Sequence, residues 1–399
     1  MKALGFSDMS RYNRLNVLNL IKNKGQISRA DLVKLTKLTG PSISRIINDL
    51  MEEGLVTETG IGESSGGRKP ILLEFNASAR TVIGLDIRPD KVMGIACDLA
   101  ATRLKKRQTD FAEDIPTERK LNLALNMAQE LYLEAEKIAP VIGLGIAVPG
   151  VVDNLRGIVR YSAPMGWRNV DLNNFFGQAL KVPISVDNVT RCVALGEKWF
   201  GNAKDKADFI YLYVGEGIGA GIIAKGQLYH GSRYSAAEIG HTTVEYKGEK
   251  CRCGNHGCLE LYTSLRALKN RLETILGISI NSKAELWNLL QDENSTAWKA
   301  VEETLSYLGT GIANMINIFN PETIVIGGWP LNTGVRGLEY LKGVVQSRAM
   351  EGLVDGVSMV YSGLDEEGPL IGAYTLILES FFNPLLLKSE QNLPNKGVI

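Results

Sequence analysis

From residue 81 onward, short runs of apolar, β-branched residues alternate with long segments of helical periodicity. This alternation is typical of α/β proteins, because each helix that connects two strands covers one face of their sheet. We therefore expect an α/β body with mixed sheets, arranged in two lobes. The predicted strand regions, most of which end in glycine, are residues 81–99, 141–150, 209–223 and 323–328, and the predicted helices include residues 117–138 and 297–318.

The segment before this body shows a different pattern, in which three short amphipathic helices follow one another. The first is predicted over residues 10–24, the second begins after Ser28 in a capping-box variant, and the third is capped by Thr39. Pro41 lies in the first turn of the third helix, where its missing N–H is tolerated. The tight turn between the last two helices is typical of a helix-turn-helix.

The third helix, PSISRIINDLMEEG, is predicted to enter the major groove of DNA. Its apolar residues share one face, which leaves Ser42, Ser44 and Arg45 on the outer face as candidate DNA-binding residues.

Two strands, LVTETG and PILLEF, follow this helix and flank the loop IGESSGGRK, so the module is predicted to be a winged helix. Arg68 and Lys69 lie at the wing tip beside two glycines, whose bare backbone lets both cations approach a narrow minor groove. Charge agrees, since residues 1–74 hold 11 Lys/Arg and 8 Asp/Glu, whereas the whole chain holds 44 of each. The alternative is a small helical interaction domain with a solvated charged loop.

Composition excludes several classes of protein. No run approaches the roughly 18 apolar residues that span a bilayer, and the first residues lack the apolar core of a signal peptide. Five cysteines in 399 residues make no disulfide framework. We expect a cytoplasmic protein that has no membrane partner.

The length of the chain predicts several domains, because a single core stops growing below this size. The predicted division is a DNA-binding head (1–74), a linker (75–80), a first lobe (81–200), a second lobe (201–384) whose last helix can return to the first, and a tail (385–399).

A metal site is predicted where three of the five cysteines fall within eight positions. His241, Cys251, Cys253 and Cys258 supply one imidazole and three thiolates, a closed tetrahedral set that suits structural Zn²⁺. Two alternatives remain open, namely a cluster of buried thiols without metal and a site in which His256 replaces His241.

Two further features lie close to this cluster in the sequence. Glu238 and Glu260 flank the proposed ligands and could line a polar pocket for hydroxyl groups, although a surface position is common for any Glu. The glycines of Gly215–Gly221 follow a strand but run into more β pattern, so we expect a hairpin rather than a dinucleotide-binding turn.

With these motifs in view, the sequence resembles the ROK family (repressors, open reading frames and sugar kinases) over essentially its whole length. The segment AAEIGHTTVEYKGEKCRCGNHGCLELYTS (236–264) is the most specific part, and the winged helix resembles the repressor branch, above all its xylose-type members. The resemblance implies an actin-like, hexokinase-type body with two lobes, a sugar between them and Zn²⁺ beside it. It also implies that Asn188, Glu238, His241 and Glu260 contact the sugar.

Departures from the family pattern separate repressor from kinase. The catalytic Asp of the kinases falls on Val189, which cannot accept a proton. Arg88 and Pro89 replace glycines of the first phosphate turn, and Glu216 stands where kinases usually have Thr. A carboxylate about 4 Å from a phosphate charge costs about 4 kcal/mol at an effective dielectric constant near 20. We predict no kinase activity.

The leading hypothesis is a sugar-responsive transcriptional repressor of carbohydrate-utilisation genes, with xylose as the first candidate sugar. A homodimer or tetramer would read an inverted repeat in operator DNA. Two alternatives stay open, a DNA-binding protein that retains sugar kinase activity and a repressor whose effector is a protein such as a sugar-transport component.

Overall fold

The computed structural model describes residues 6–62, 69–291 and 296–383. At the N-terminal end, three helices pack on a three-stranded sheet of order β1-β3-β2 and form the predicted winged helix. We call this part the head. Its elements are α1 (Phe6–Lys24), β1 (Ile27–Ser28), α2 (Arg29–Thr36), α3 (Gly40–Glu52), β2 (Val56–Ile61) and β3 (Ile71–Phe75).

Local side-chain chemistry sets the helix boundaries of the head. The Ser28 hydroxyl accepts a hydrogen bond from the Asp31 N–H at 3.2 Å and caps α2. Lys37 ends α2 in the left-handed conformation, with φ of 59°. The Thr39 hydroxyl accepts from the Ser42 N–H and caps α3. The predicted caps are confirmed, whereas α1 begins four residues earlier than predicted.

The first lobe contains a five-stranded mixed sheet of order β11-β7-β4-β5-β6 and a separate three-stranded antiparallel sheet of order β10-β9-β8. Helix α4 packs against the larger sheet. The elements are β4 (Thr81–Ile87), β5 (Lys91–Asp98), β6 (Arg103–Asp110), α4 (Thr117–Glu136), β7 (Val141–Val148), β8 (Val151–Asp153), β9 (Ile158–Ser162), β10 (Trp167–Asp171), α5 (Leu172–Ala179) and β11 (Ile184–Asn188).

A second five-stranded sheet, of order β14-β13-β12-β15-β16, forms the second lobe. Strands β12 and β13 pair antiparallel, so the glycine-rich run Gly215–Gly221 is the predicted hairpin. The elements are β12 (Phe209–Val214), β13 (Ile218–Ala224), β14 (Gln227–Leu228), α7 (Leu259–Thr263), α8 (Leu265–Leu276), α9 (Lys283–Gln291), α10 (Ala297–Phe319), β15 (Thr323–Gly328), α11 (Gly334–Arg348) and β16 (Ser358–Tyr361).

Two helices, α6 (Val189–Phe200) and α12 (Gly368–Phe382), cross in the middle of the molecule. Their backbones approach so closely that a Cβ atom on Gly372 would lie 2.2 Å from the Cys192 carbonyl group. Only glycine fits at such a crossing. Helix α12 also packs on β4 and β7, so the last described helix lies against the first lobe.

The head and the first lobe share one apolar core, which α12 completes. It combines Leu18 and Ile21 of α1 with Ile95 of β5 and with Tyr374 and Phe382 of α12. The head is therefore packed against the body through buried side chains.

Every strand and helix of the body that the sequence analysis named is present. Several elements were not predicted, among them α6 and strand β6 (RLKKRQTD). Strand β6 lies at the sheet edge and most of its side chains face water, so it lacks an apolar run. In the part of the chain that the structure describes, no helix is long and apolar enough to cross a membrane.

Candidate functional site

Asn188 lies at the end of β11 and caps α6. Its Oδ1 accepts hydrogen bonds from the Thr190 N–H at 2.8 Å, the Thr190 hydroxyl at 2.6 Å and the Arg191 N–H at 3.4 Å. Its amide group donates to the carbonyl oxygen of Gly150 at 2.8 Å. Asn188, which was predicted to bind a sugar, thus links the first turn of α6 to the loop that follows β7.

A buried ion pair, which the sequence analysis did not identify, stands beside Asn188. The guanidinium of Arg191 donates to Oδ1 of Asp187 at 2.6 Å and to the carbonyl oxygens of Tyr234 and Val152. Oδ2 of Asp187 lies 2.9 Å from Nε2 of His230. Asp187 and Val152 belong to the first lobe, whereas His230 and Tyr234 follow β14 of the second, so this cluster joins the two lobes.

Charge compensation sets the protonation of Asp187. Burial by itself raises the pKa of this carboxyl, but Arg191 and His230 outweigh burial, and the pKa is lowered overall. Asp187 is therefore a bound carboxylate with both oxygens engaged.

Glu238 follows the short segment that carries His230 and Tyr234. Partial burial raises the pKa of the Glu238 carboxyl, while the nearby charges of His241 and Arg191 oppose that rise. Ala237, just before it, has a φ of 70°, a left-handed conformation that costs an alanine side chain energy. The chain thus adopts an unfavourable backbone conformation directly before Glu238.

Glu260, on α7, is buried against the turn between β12 and β13. Its Oε2 accepts from the Ile218 N–H at 3.1 Å, and its Oε1 pairs with Arg252 at 3.0 Å. A nearby Glu260 carboxylate also raises the pKa of Glu238. The structure therefore brings Glu238 close to His241, Glu260 and Arg191, while Asn188 is linked to this group through its hydrogen bond with the Arg191 N–H. We call these five residues, with Asp187 and His230, the interlobe site.

One His and three Cys residues form a cluster beside the interlobe site. The ligand atoms of His241, Cys251, Cys253 and Cys258 all lie within 4.8 Å of one another. Cys251 Sγ is 3.7 Å from His241 Nδ1, and Cys253 Sγ is 3.7 Å from Cys258 Sγ. His256 is not part of this cluster. The group can hold a metal ion, with His241 rather than His256 as the histidine.

Crowding of the thiols has an electrostatic consequence. Burial, together with the neighbouring thiols of Cys253 and Cys251, raises the pKa of the Cys258 thiol to about 12. A bound divalent cation would reverse this effect, because it stabilises the thiolate form of every ligand.

The two turns that the sequence analysis compared with the phosphate turns of kinases hold charged side chains. Nε of Arg88 donates to Oδ2 of the fully buried Asp86 at 2.6 Å, and Nη2 donates to the Glu366 carbonyl oxygen at 3.2 Å. Across the interlobe space, burial raises the pKa of Tyr213, Arg88 lowers it and Glu216 raises it. Arg88 and Glu216 are thus close to the same tyrosine.

A cavity of about 430 Å³ lies next to this second turn. Glu216 lines it together with the cations Arg266, Lys269 and Lys283 of α8 and α9. None of the four predicted sugar-binding residues lines this cavity.

The candidate DNA-binding face lies at the other end of the molecule. Ser42, Ser44 and Arg45 are exposed on α3, whose opposite face is buried, and Lys69 is exposed beside β3. Arg68 lies outside the described residues. Helix α3 presents a free polar face of the kind that reads the major groove.

Sequence reasoning missed Asp187, Arg191 and His230 because none of them stands in a spacing that marks a site. The available signal was the presence of a cation, Arg191, in the largely apolar run VTRCVAL, because a buried cation needs a partner of opposite charge.

Known proteins resemble this chain over nearly its whole length. The ROK family matches residues 82–380, and the MarR family matches residues 6–64. The xylose repressor of Bacillus spizizenii is 33% identical over 382 residues, covering 94% of this chain and 97% of the relative.

Solved structures agree with this similarity. A ROK family transcriptional regulator, a homolog of the E. coli MLC protein, has a TM-score of 0.85 at 27% identity and covers 96% of this chain and 98% of that chain. The ROK hexokinase from Thermus thermophilus has a TM-score of 0.64 at 26% identity over 77% of this chain and 99% of its own. The hexokinase therefore matches less of this chain than the regulator does.

Proposed function

Because the chain belongs to the ROK family and begins with a MarR-type winged helix, we propose that it is a sugar-responsive transcriptional repressor of carbohydrate-utilisation genes. One observation carries the proposal. A winged helix with an exposed polar face on α3 is packed through a shared apolar core on a body of the ROK family. The xylose repressor of Bacillus spizizenii, similar over 94% of this chain, supports xylose as the first candidate.

The sugar would bind at the interlobe site through Asn188, Glu238, His241 and Glu260. Carboxylates and an amide suit this role because they accept and donate hydrogen bonds to neighbouring hydroxyls. Glu238 supports the assignment. Among the described residues its carboxylate has no hydrogen-bond or ion-pair partner, whereas Glu260 and Asn188 already have several.

The metal in the cluster would be structural Zn²⁺. A tetrahedral zinc ion with Zn–S bonds of about 2.3 Å places two sulfurs about 3.8 Å apart, and the Cys253–Cys258 separation of 3.7 Å fits this value. Bound zinc would orient the His241 ring through Nδ1, which leaves Nε2 to the sugar.

We propose that the body has no kinase activity. Val189 cannot act as a base, and the neighbouring carboxylate of Asp187 has both oxygens engaged and a lowered pKa. Arg88 is tied to Asp86 where kinases have a glycine turn that cradles phosphate. An ATP-turnover assay with a sugar panel tests this statement, with the Thermus thermophilus hexokinase as positive control, and turnover with any sugar would contradict it.

DNA recognition would use Ser42, Ser44 and Arg45 in the major groove, with Arg68 and Lys69 at the minor groove. Two heads of a homodimer, or of a tetramer, would read an inverted repeat. The proposal keeps the division into a head (1–74), a linker (75–80), two lobes (81–200 and 201–384) and a tail (385–399), and it places the protein in the cytoplasm, where a repressor meets the chromosome.

The decisive experiment is a calorimetric titration of the purified chain with xylose, glucose and N-acetylglucosamine, alone and with operator DNA. The operator is selected by the protein itself from random duplexes. We expect one sugar to bind and its affinity to differ when DNA is bound, because the two ligands are linked. Glu238→Gln should weaken sugar binding, while Glu113→Gln, an exposed acid of the first lobe, should not. No heat with any sugar would overturn the proposal.

A further inference from the structure

Helix α6 begins at the interlobe site and ends against the head. It has 12 residues, and at 1.5 Å per residue it spans about 18 Å. We propose that α6 is the element that couples ligand binding at Asn188 to the position of the head, and that the contact of Trp199 with Lys22 is its output. This inference rests on the proposed function, because it concerns how a sugar signal leaves that site.

At its N-terminal end, α6 depends on the same atoms that a ligand would use. Oδ1 of Asn188 is the only side-chain cap of this helix and serves three donors, including two backbone N–H groups. A sugar hydroxyl that donates to Oδ1 competes directly with this cap. A ligand contact at Asn188 therefore changes the hydrogen bonding of the first turn of α6.

In its middle, α6 is pressed onto α12. The backbone contact between Gly372 and Cys192 leaves no room for a side chain, and Gly196 of α6 faces the same crossing. Two helices in backbone contact cannot slide independently without a clash. A displacement of α6 is accordingly passed on to α12.

At its C-terminal end, α6 is tied to the end of α12. The indole Nε1 of Trp199 donates to Oε2 of Glu379 at 2.7 Å, and the ammonium of Lys198 lies 3.1 Å from Oε1 of the same residue. The ring of Trp199 also lies 5.8 Å from that of Phe382. Both helices end in one aromatic and charged cluster.

The head contacts this cluster through α1. The ammonium of Lys22 lies 4.5 Å from the centroid of the Trp199 ring and 5.0 Å from that of Phe382. Asn19 donates to the Phe382 carbonyl oxygen at 2.8 Å. Burial lowers the pKa of Lys22, with Lys204 acting in the same direction, so this cation is held in a desolvated position. Cation–π contacts strengthen when they are desolvated. A shift of Trp199 would therefore also displace Lys22 and, with it, α1.

These contacts define a route along α6, with the ligand site at its N-terminal end and the head at its C-terminal end. The ligand acts on the cap, α6 and α12 move as one unit, and the contact with Lys22 sets the orientation of the head. The sugar must bind the two orientations with different affinity, and the factor for DNA must equal the factor for sugar.

The test compares three full-length variants with the wild-type chain. Lys22→Met keeps the aliphatic stem but removes the charge over Trp199, and Trp199→Phe keeps an aromatic ring but removes the bond to Glu379. Lys24→Met is the matched control, since it removes the same charge from the same helix at an exposed position. For each, operator affinity is measured with and without the sugar that the wild type binds, and sugar affinity with and without operator.

We expect a wild-type coupling factor in the usual range of about 5–150-fold, and a factor of about one to three in Lys22→Met and Trp199→Phe. Each variant should still bind sugar alone and operator alone. Lys24→Met should keep the wild-type factor, although its operator affinity falls through the lost charge.

Failure of this inference differs from failure of the proposed function. If Lys22→Met and Trp199→Phe bind both ligands and keep the wild-type coupling factor, the route through α6 is wrong while the repressor proposal stands. If the wild-type chain binds no sugar, both fall. Circular dichroism confirms that each variant is folded.

Discussion

The guanidinium of Arg191 meets the carboxylate of Asp187 at 2.6 Å, with only 3% and 2% of the two side chains exposed. The pair links the end of β11 to α6, and the remaining donors of Arg191 reach a carbonyl oxygen in each lobe. A buried pair of this kind is costly to break, because removal of one partner leaves the other charge without compensation.

Replacement of Arg191 by methionine should lower the free energy of unfolding by about 3–5 kcal/mol, because the Asp187 carboxylate loses its strongest partner inside the protein. Denaturant unfolding followed by tryptophan fluorescence measures this change. The double variant Arg191→Met/Asp187→Asn should be more stable than Arg191→Met alone. If the single variant were as stable as wild type, the ion pair would have no structural role.

Stability should fall with acid through Asp187. The pKa of this group is lowered in the folded chain from an ordinary value of 3.8, so its contribution is present above that value and is lost as pH falls through the folded pKa. The difference in unfolding free energy between wild type and Asp187→Asn should be constant from pH 6 to about pH 4.5. It should become smaller once the pH falls below the ordinary pKa of 3.8. A difference that grows on acidification would contradict the assignment.

Loss of one thiolate should empty the metal site. Cys253→Ser should purify without zinc and with a lower melting temperature, because structural zinc contributes directly to folding. His256→Ala is the matched control, since His256 lies in the same segment outside the cluster. Inductively coupled plasma mass spectrometry should find one zinc ion per chain in the wild type and in the control. Equal zinc in Cys253→Ser would exclude this thiol as a ligand.

The two cations of the head should act differently on DNA. Arg45→Ala should relax base preference at one position of each half-site by about 1–3 kcal/mol, as expected for a base contact. Lys69→Ala should weaken all sequences equally and reduce the salt slope by about one, as expected for a phosphate contact. Lys247→Ala, an exposed cation of the second lobe, serves as control. Titrations of selected and scrambled duplexes at several salt concentrations distinguish these outcomes. If both variants lost the same affinity on every sequence, the assignment of α3 to the major groove would be wrong.

Ala237 should tolerate glycine better than its neighbour does. With φ of 70°, a left-handed alanine costs about 1–2 kcal/mol, and the extra chain entropy of glycine offsets about 0.5–1 kcal/mol of the relief. Ala237→Gly should therefore raise the free energy of unfolding by about 0.5–1 kcal/mol. Ala236→Gly, which has no such strain to relieve, should lower it. Thermal unfolding of both variants decides the comparison.

Periodicity in the sequence was enough to predict the three helices of the head and, in the body, β4, β5, β7, β12, β13, β15, α4 and α10, although it did not predict α6. Alternation of apolar runs and helical segments predicted the α/β body, and local side-chain chemistry placed the caps at Ser28 and Thr39, because capping involves residues only two or three positions apart. The hairpin at Gly215–Gly221 was predicted for the same reason, since its two strands are adjacent in the chain.

The candidate site divides along the same line. Spacing alone indicated the metal cluster, because its four ligands fall within 18 consecutive residues of the chain. Asn188, Glu238 and Glu260 were indicated by family resemblance, and their joint role in binding a sugar stays a prediction. The structure places Glu238 near Glu260 and Arg191, and Asn188 accepts a hydrogen bond from the Arg191 N–H.

Tertiary structure alone decided which charges compensate one another and what α6 touches. Asp187 and His230 are 43 positions apart in the chain, and Lys22 and Trp199, whose side chains are in contact, are 177 positions apart. Periodicity and spacing record local geometry, whereas these contacts depend on how helices and sheets pack. The sequence determined the main elements of a head and a two-lobed body. Packing around α6 and α12 decided that the head and the first lobe share one apolar core.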